Sequence, residues 1–191
     1  MYFPAYLNLK NKKVLVVGGG KIAGDKISHL LDFTNDITVI APKIEKRVEN
    51  FIDEHSLTYL QREYKNGDIE GFFVVIVAVD SLNLQRRVFE EAKDKKVLVN
   101  SVDSVEYCDF IFPSYIKRGD LTISFSTGGA SPSLAKYLRR AIEKIVPDGI
   151  EDFLQELKAI RNSMPKGKER MQILDKKAKE YIKRHFGRED V

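Results

Sequence analysis

The sequence predicts an α/β protein: a doubly wound parallel sheet followed by a smaller mixed region and a helical carboxy-terminal part. Three observations carry that reading. Short β-branched runs alternate with amphipathic segments from Lys13 to residue 112, the pattern of parallel strands joined by right-handed helical crossovers. The first run breaks on Gly18, Gly19 and Gly20, where a strand must turn directly into a helix. Beyond Pro113 strict alternation replaces the continuous apolar runs, and after Pro147 only helical periods remain.

The elements follow in order. Val14-Leu15-Val16-Val17 reads as a buried strand, and 21–33 as a helix with Ile22, Ala23, Ile27, Leu30 and Leu31 on one side. A second strand over 37–41 is stopped by Pro42. Residues 43–55 read as a helix, 57–60 as a short strand, 72–79 as a strand ending at Asp80, 83–93 as a helix and 97–100 as a strand. The run 121–126 alternates as a strand with one polar face does. Ser131 is placed as N-cap and Pro132 as first helical residue of a helix reaching 145. Two further helices, 150–164 and 168–185, are separated by Pro165-Lys166-Gly167. The expected division is 1–112, 113–146 and 147–191.

Bulk properties narrow the class. In 191 residues, 43% hydrophobic and 31% charged, there is material for a real core, and no apolar stretch approaches the roughly 20 residues that span a bilayer. The start of the chain, MYFPAYL, lacks the features of a signal peptide, and a single cysteine, Cys108, rules out an internal disulfide or a cysteine-rich zinc site; a cytoplasmic location is expected. A net charge of +4 is a mild excess. The lysines and arginines of the last third are interleaved with acids and read as a solvated helical face rather than a nucleic-acid surface. Neither nucleic acid nor membrane is expected as a partner.

Three segments could carry chemistry. Gly18-Gly19-Gly20-Lys21-Ile22-Ala23 fits the G-x-G-x-x-A fingerprint of a Rossmann-type dinucleotide turn. Gly18 would permit the turn, Gly20 would admit a pyrophosphate, and small Ala23 would let the helix lie close to the sheet. The acid expected after the second strand is replaced by Ala41-Pro42-Lys43, and Lys43 with Lys46 leaves a phosphorylated cofactor open. The second segment is Asn100-Ser101-Val102-Asp103 at the end of the last parallel strand, where open α/β sheets bind ligands. Asp103 could move a proton there, or Asp103-Ser104 with Glu106 could be a cap. The third, 124–132, sets hydroxyls and glycines before a helix N-terminus, to bind anions or simply to cap. His29, His55 and His185 share no ligand spacing, no separate metal site is visible, and Cys108 reads as a small buried residue.

Taken in this order, the segments FPAYLNLKNKKVLVVGGGKIAGDKI, ITVIAP, VVIVAVDSLNLQRRV, VLVNSVDSVEYCDFIFPS and RGDLTISFSTGGASPSLAKYLRRAIE resemble the precorrin-2 dehydrogenase and sirohydrochlorin ferrochelatase family, which also forms the amino-terminal half of siroheme synthases. The resemblance covers about three quarters of the chain. It implies a Rossmann domain, a dimerisation region and a helical domain, a homodimer, and NAD-dependent oxidation of precorrin-2 to sirohydrochlorin. In some members ferrous ion is inserted as well. It also implies Asp103 as the catalytic residue. NAD would be held by Gly18, Gly20, Lys21, Ile22, Ala41, Pro42, Lys43 and Asp80, and the tetrapyrrole would meet Asn100, Ser124, Thr127 and Gly128. Lys117, Arg118 and Lys136 are expected to meet its carboxylates. A rival reading is a redox-sensing NAD-binding module without catalysis.

Overall fold

The computed structural model describes residues 2–187. The chain forms two compact units, one running to Ile111 and the other beginning at Phe112.

In the first unit, the continuous apolar runs Val14–Val17 and Val74–Val77 leave no polar face, so these strands are covered on both sides. β1 (Val14–Val17), β2 (Ile37–Ile40), β3 (Thr58–Leu60), β4 (Val74–Val77) and β5 (Leu98–Ser101) make one parallel sheet in the order β3-β2-β1-β4-β5. The order reverses between β1 and β4, where α/β sheets leave a crevice. Register aligns Val17 with Ile40 and Val77, and Val77 with Ser101. The loops after β1, β2, β4 and β5 therefore leave from one edge.

Three helices cover the sheet: α1 (Lys21–Leu31), α2 (Lys46–His55) and α3 (Leu82–Ala92). Leu15, Val17, Ile40, Val75, Val77 and Val99 pack with Val88 and Ala92 of α3 and with Tyr64 and Ile69 of the β3–β4 connection. Ala23 and Ile27 of α1 are fully buried, as the small-residue reading of position 23 requires. The start of α2 is the first departure from expectation. Residues 43–45 are loop, because Glu45 N–H bonds Gly19 O at 2.8 Å and fixes this stretch against the glycine turn.

The second unit opens with a strand that the sequence reading omitted, β6 (Ser114–Arg118), paired antiparallel with β7 (Leu121–Phe125). A two-residue Gly119-Asp120 turn joins them, with Gly119 at φ 55. α4 (Pro132–Glu143) packs on this hairpin, and α5 (Ile150–Ser163) pairs with α6 (Lys168–Phe186). Ser131 caps α4 as expected, accepting from Leu134 N at 3.1 Å. The α5–α6 contact centres on Phe153 stacked on Tyr181 with ring centroids 4.1 Å apart, and His185 of the same helix as Tyr181 lies tilted against it at 4.3 Å. Among the described residues, no helix is long and apolar enough to cross a membrane.

Candidate functional site

The glycine turn is built by the protein's own crowding. Gly18 has φ +123, and a Cβ there would lie 2.3 Å from Ala78 O; one on Gly19 would lie 2.3 Å from Lys43 O and 2.7 Å from Ile44 Cγ2. Gly20 is different. Its nearest neighbour would be Glu45 Oε1 at 3.8 Å, so a side chain is excluded by nothing in the protein and the space stands open. Gly20 is also the N-cap of α1, which has no side-chain cap and no acid in its first turn. Unanswered N–H groups and the positive end of the helix dipole meet at that open space, which suits a pyrophosphate. The sequence reading missed Gly19, whose signal is the middle glycine of three.

The second wall comes from the loops after β2, β4 and β5. Ala41 is buried and its carbonyl accepts from Tyr59 Oη at 3.1 Å, while Pro42 and Lys43 are exposed beyond it. Lys46 bonds Glu49 at 2.8 Å within its own helix. Across the crevice, Ile22, Val79, Asp80, Leu82, Gln85, Val102, Asp103 and Ser104 line a cavity of about 180 Å³. Ile22, Asp80 and Asp103, three residues expected at the site from distant parts of the sequence, thus share one pocket. Lys21 is exposed at the start of α1.

Asp103 is exposed and sits in left-handed backbone at φ 60. For a residue with a Cβ that conformation is costly, although aspartate tolerates it better than most. The cap reading of this segment is corrected here: Ser104 precedes a 3-10 turn, Val105–Tyr107, and its side chain makes no capping bond. The loop is shaped instead by Cys108. Its Sγ lies 3.2 Å from Ser101 N, 3.1 Å from Ser101 O and 3.2 Å from Ser104 O, and burial pushes the thiol pKa up. Asn100 is buried and donates to Phe110 O at 2.8 Å, with Oδ1 unpartnered among the described residues.

Two further residues of this site escaped the sequence reading. Lys26 lies one helical turn beyond Ile22. Burial pulls its ammonium pKa down, while Cys108, Asp103 and Asp25 act against that shift. Gln85 of α3 is 3% exposed and donates from Nε2 to Val79 O at 2.7 Å and Val102 O at 3.2 Å. The signal for Lys26 was its i+4 spacing from the motif; a buried glutamine inside an amphipathic helix gave none.

Ser124, Thr127 and Gly128 belong to the second unit. Ser124 is exposed on β7. The Thr127 hydroxyl accepts from Ser131 N at 3.1 Å and donates to Ser131 O at 3.0 Å, closing the turn, and Gly128, at φ 61, donates to Ser126 Oγ at 3.2 Å. Arg118 has a structural task that the sequence reading did not foresee. Its guanidinium bonds Val146 O at 2.8 Å and Glu143 O at 3.2 Å, satisfying carbonyls at the end of α4. Among the described residues, no three His, Cys, Asp or Glu side chains gather as a metal site.

Comparison with known proteins agrees with the fold and with a dinucleotide as cofactor. An NAD(P)-binding family model matches residues 5–114, and the model of the central region of sirohaem biosynthesis proteins matches 118–145. The siroheme synthase of Mannheimia succiniciproducens is 36% identical over 146 residues, 76% of this chain and 31% of its own length. That of Neisseria meningitidis serogroup C is 38% identical over 154 residues, 81% of this chain and 32% of its own. The chain therefore spans about a third of the length of these relatives. The solved structure of SirC, a precorrin-2 dehydrogenase, superposes with a TM-score of 0.79 at 25% identity, covering 92% of this chain and 88% of SirC. With the NAD(P)-binding model matched over more than half its length, the chain belongs to that NAD(P)-binding family, and it carries behind that region a segment matching the central region of sirohaem biosynthesis proteins.

Proposed function

We propose that this chain oxidises precorrin-2 to sirohydrochlorin with NAD as acceptor, and that Asp103 takes the proton. The observation that carries the reading is Asp103 held in left-handed backbone at a pocket it shares with Ile22 of the dinucleotide turn. The likeness to a precorrin-2 dehydrogenase and to siroheme synthases supports the choice of substrate.

The geometry supports the following roles. The open space at Gly20 and the N–H groups opening α1 receive the pyrophosphate, with Gly18 and Gly19 holding the turn. Ala41, Pro42 and Lys43 border the nucleoside, and Ile22 and Asp80 flank the pocket beside Asp103. NAD is favoured over its phosphorylated form because Lys46, though exposed, is already paired with Glu49, which leaves Lys43 as the cation of the two without an ion pair among the described residues. When bound, NAD supplies an acceptor for the hydride. Removal of two hydrogens from the substrate leaves one proton, and the Asp103 carboxylate is the base that accepts it. Asn100 holds the Asp103 loop through Phe110 O, and the Ser124 to Gly128 segment contacts the tetrapyrrole.

Ferrous ion insertion is assigned to the same carboxylate, which would take pyrrole protons as the metal enters. A homodimer is assigned to α4, where Leu134, Tyr137, Leu138 and Ile145 are 52%, 63%, 43% and 55% exposed. The protein works in the cytoplasm. Anaerobic incubation with precorrin-2 and NAD tests the main reading: NADH and the sirohydrochlorin spectrum rise together. NAD binding with neither product is the outcome for a sensing module and would sink the dehydrogenase. Sirohydrochlorin absorbance with ferrous ion, faster with protein than without, tests insertion.

A further inference from the structure

We propose that Gln85 is a positioning residue for the dehydrogenation, its side-chain amide tying together the loops after β4 and β5 and so holding Asp103 where its carboxylate reaches the pocket. The inference rests on the role given to Asp103 above.

The geometry is specific. Gln85 lies on α3, buried, and its Nε2 spans Val79 O at 2.7 Å and Val102 O at 3.2 Å. Val79 precedes Asp80, and Val102 precedes Asp103. Both acceptors are carbonyl oxygens, so the amide orientation is fixed: turned over, it would set oxygen against oxygen twice. Its Oε1 is buried with no partner among the described residues. An unpartnered buried carbonyl is a cost that leucine would not carry, so the side chain's contribution here is its two donors.

What those donors hold is strained. Asp103 at φ 60 occupies a conformation that a residue with a Cβ keeps only where its surroundings fix it. Val102 N donates to Val77 O at 3.0 Å, and Cys108 gathers Ser101 and Ser104 on the far side. Gln85 adds the tie on the carbonyl immediately before Asp103. It also lines the same cavity, so a change in its length alters both the loop and the pocket wall.

Gln85→Met keeps the side-chain length and removes both donors. Expected is a fall in kcat of about 10–100-fold, with the KM for NAD changed by less than about threefold, as for a misplaced catalytic group on an intact nucleotide site. In an Asp103→Asn background the same change should alter the residual rate less than about threefold, because the group being positioned is gone. Equal losses in both backgrounds would mean a merely structural role and overturn the proposal, as would an unchanged kcat. Gln85→Asn, which keeps an amide but is one methylene shorter, guards against misfolding; it should show an intermediate loss, and full activity would likewise overturn the proposal. A readout independent of turnover is amide hydrogen exchange over 102–104. It should quicken in Gln85→Met while β1 stays protected, and unchanged protection overturns the clip. If the wild-type chain fails to oxidise precorrin-2, the function reading falls, and the exchange comparison still decides whether Gln85 holds the loop.

Discussion

The two units of this chain balance core and surface in opposite ways. Up to Ile111, β1 and β4 are wholly buried and an unbroken layer of Val, Leu and Ile sits between helices. From Phe112, the buried apolar residues among those described are Ile116, Ala135, Val146 and Tyr181, while Leu134, Tyr137, Leu138 and Met171 face outward. In their place the second unit relies on ring stacking and on side chains that close helix ends: Arg118 on the end of α4, and Arg170 on Arg161 O at 3.0 Å and Met164 O at 3.1 Å at the end of α5. The difference teaches a division of labour. The first unit has the packed core that can place atoms to within a fraction of an ångström, and the second carries more exposed apolar surface on α4.

The largest expected effect tests that division directly. Asp103→Asn keeps a residue type that tolerates left-handed backbone but removes the proposed base, so kcat should fall about 10²–10⁴-fold with NAD affinity unchanged. Thr127→Val in the second unit removes the two bonds to Ser131 and loosens the turn. It should raise the KM for the tetrapyrrole, with kcat reduced less than about tenfold. Steady-state NADH formation reads both, and a greater kcat loss from Thr127→Val would reverse the comparison.

Next comes stability. Gly19→Ala would drive a methyl to 2.3 Å from Lys43 O, an obstacle of backbone rather than of a flexible side chain, and should cost about 3 kcal/mol or more. Gly128→Ala meets nothing within 4 Å and is opposed by its φ of 61 alone, at about 1–2 kcal/mol. Calorimetric unfolding of the two variants should differ accordingly. Equal shifts would mean that the glycine turn gives way more easily than its packing implies.

How much of this was legible follows the same line. The β1, β2, β4 and β5 runs announced themselves because buried parallel strands read as continuous apolar stretches, and Ser131-Pro132 announced α4 because a cap and a first-turn proline are local. β6 was not legible. SYIKR has a charged end, and its partner lies across a turn whose glycine gave no strand signal until paired. At the site, motif spacing carries Gly18 and the strand end carries Asp103 as a candidate, whereas Ile22 and Asp80 as cofactor contacts, and Asp103 as the catalytic residue, came with the family resemblance. Gln85 could not be named, since its importance lies in what the fold brings near it, and Lys26 offered only its i+4 spacing from Ile22. Arg118 shows the reverse error, a charge that reads as available for ligand and instead satisfies helix carbonyls.

The exposed face of α4 gives a third test. Leu134→Ser with Tyr137→Ser removes two exposed apolar side chains while leaving the buried Ala135 of α4 in place, and should weaken self-association about tenfold or more by sedimentation. An unchanged mass distribution would leave the second unit's surface without its assigned partner.

The smallest effect concerns ion pairs, which both units use. In the first, Asp68 takes a two-pronged bond from Arg62 at 2.6 and 2.8 Å and a third from Lys65 N at 2.7 Å, and Arg62 foremost holds its carboxyl below the usual range. In the second, Lys158 does the same for Asp120, assisted by Gln155 at 3.0 Å. A carboxylate depressed on folding stabilises above its unfolded pKa, about 3.9, and that contribution is lost as pH falls through the lower folded value. Wild-type Tm should therefore drop from about pH 4 downward, and each Asp→Asn variant should flatten that limb. Asp68→Asn should flatten it more, by about 1–3 °C, because its partner is held in a two-point geometry that a flexible lysine does not offer. A larger effect from Asp120→Asn would place more of the acid sensitivity in the unit with the smaller core, and the contrast between the two would then rest on packing alone.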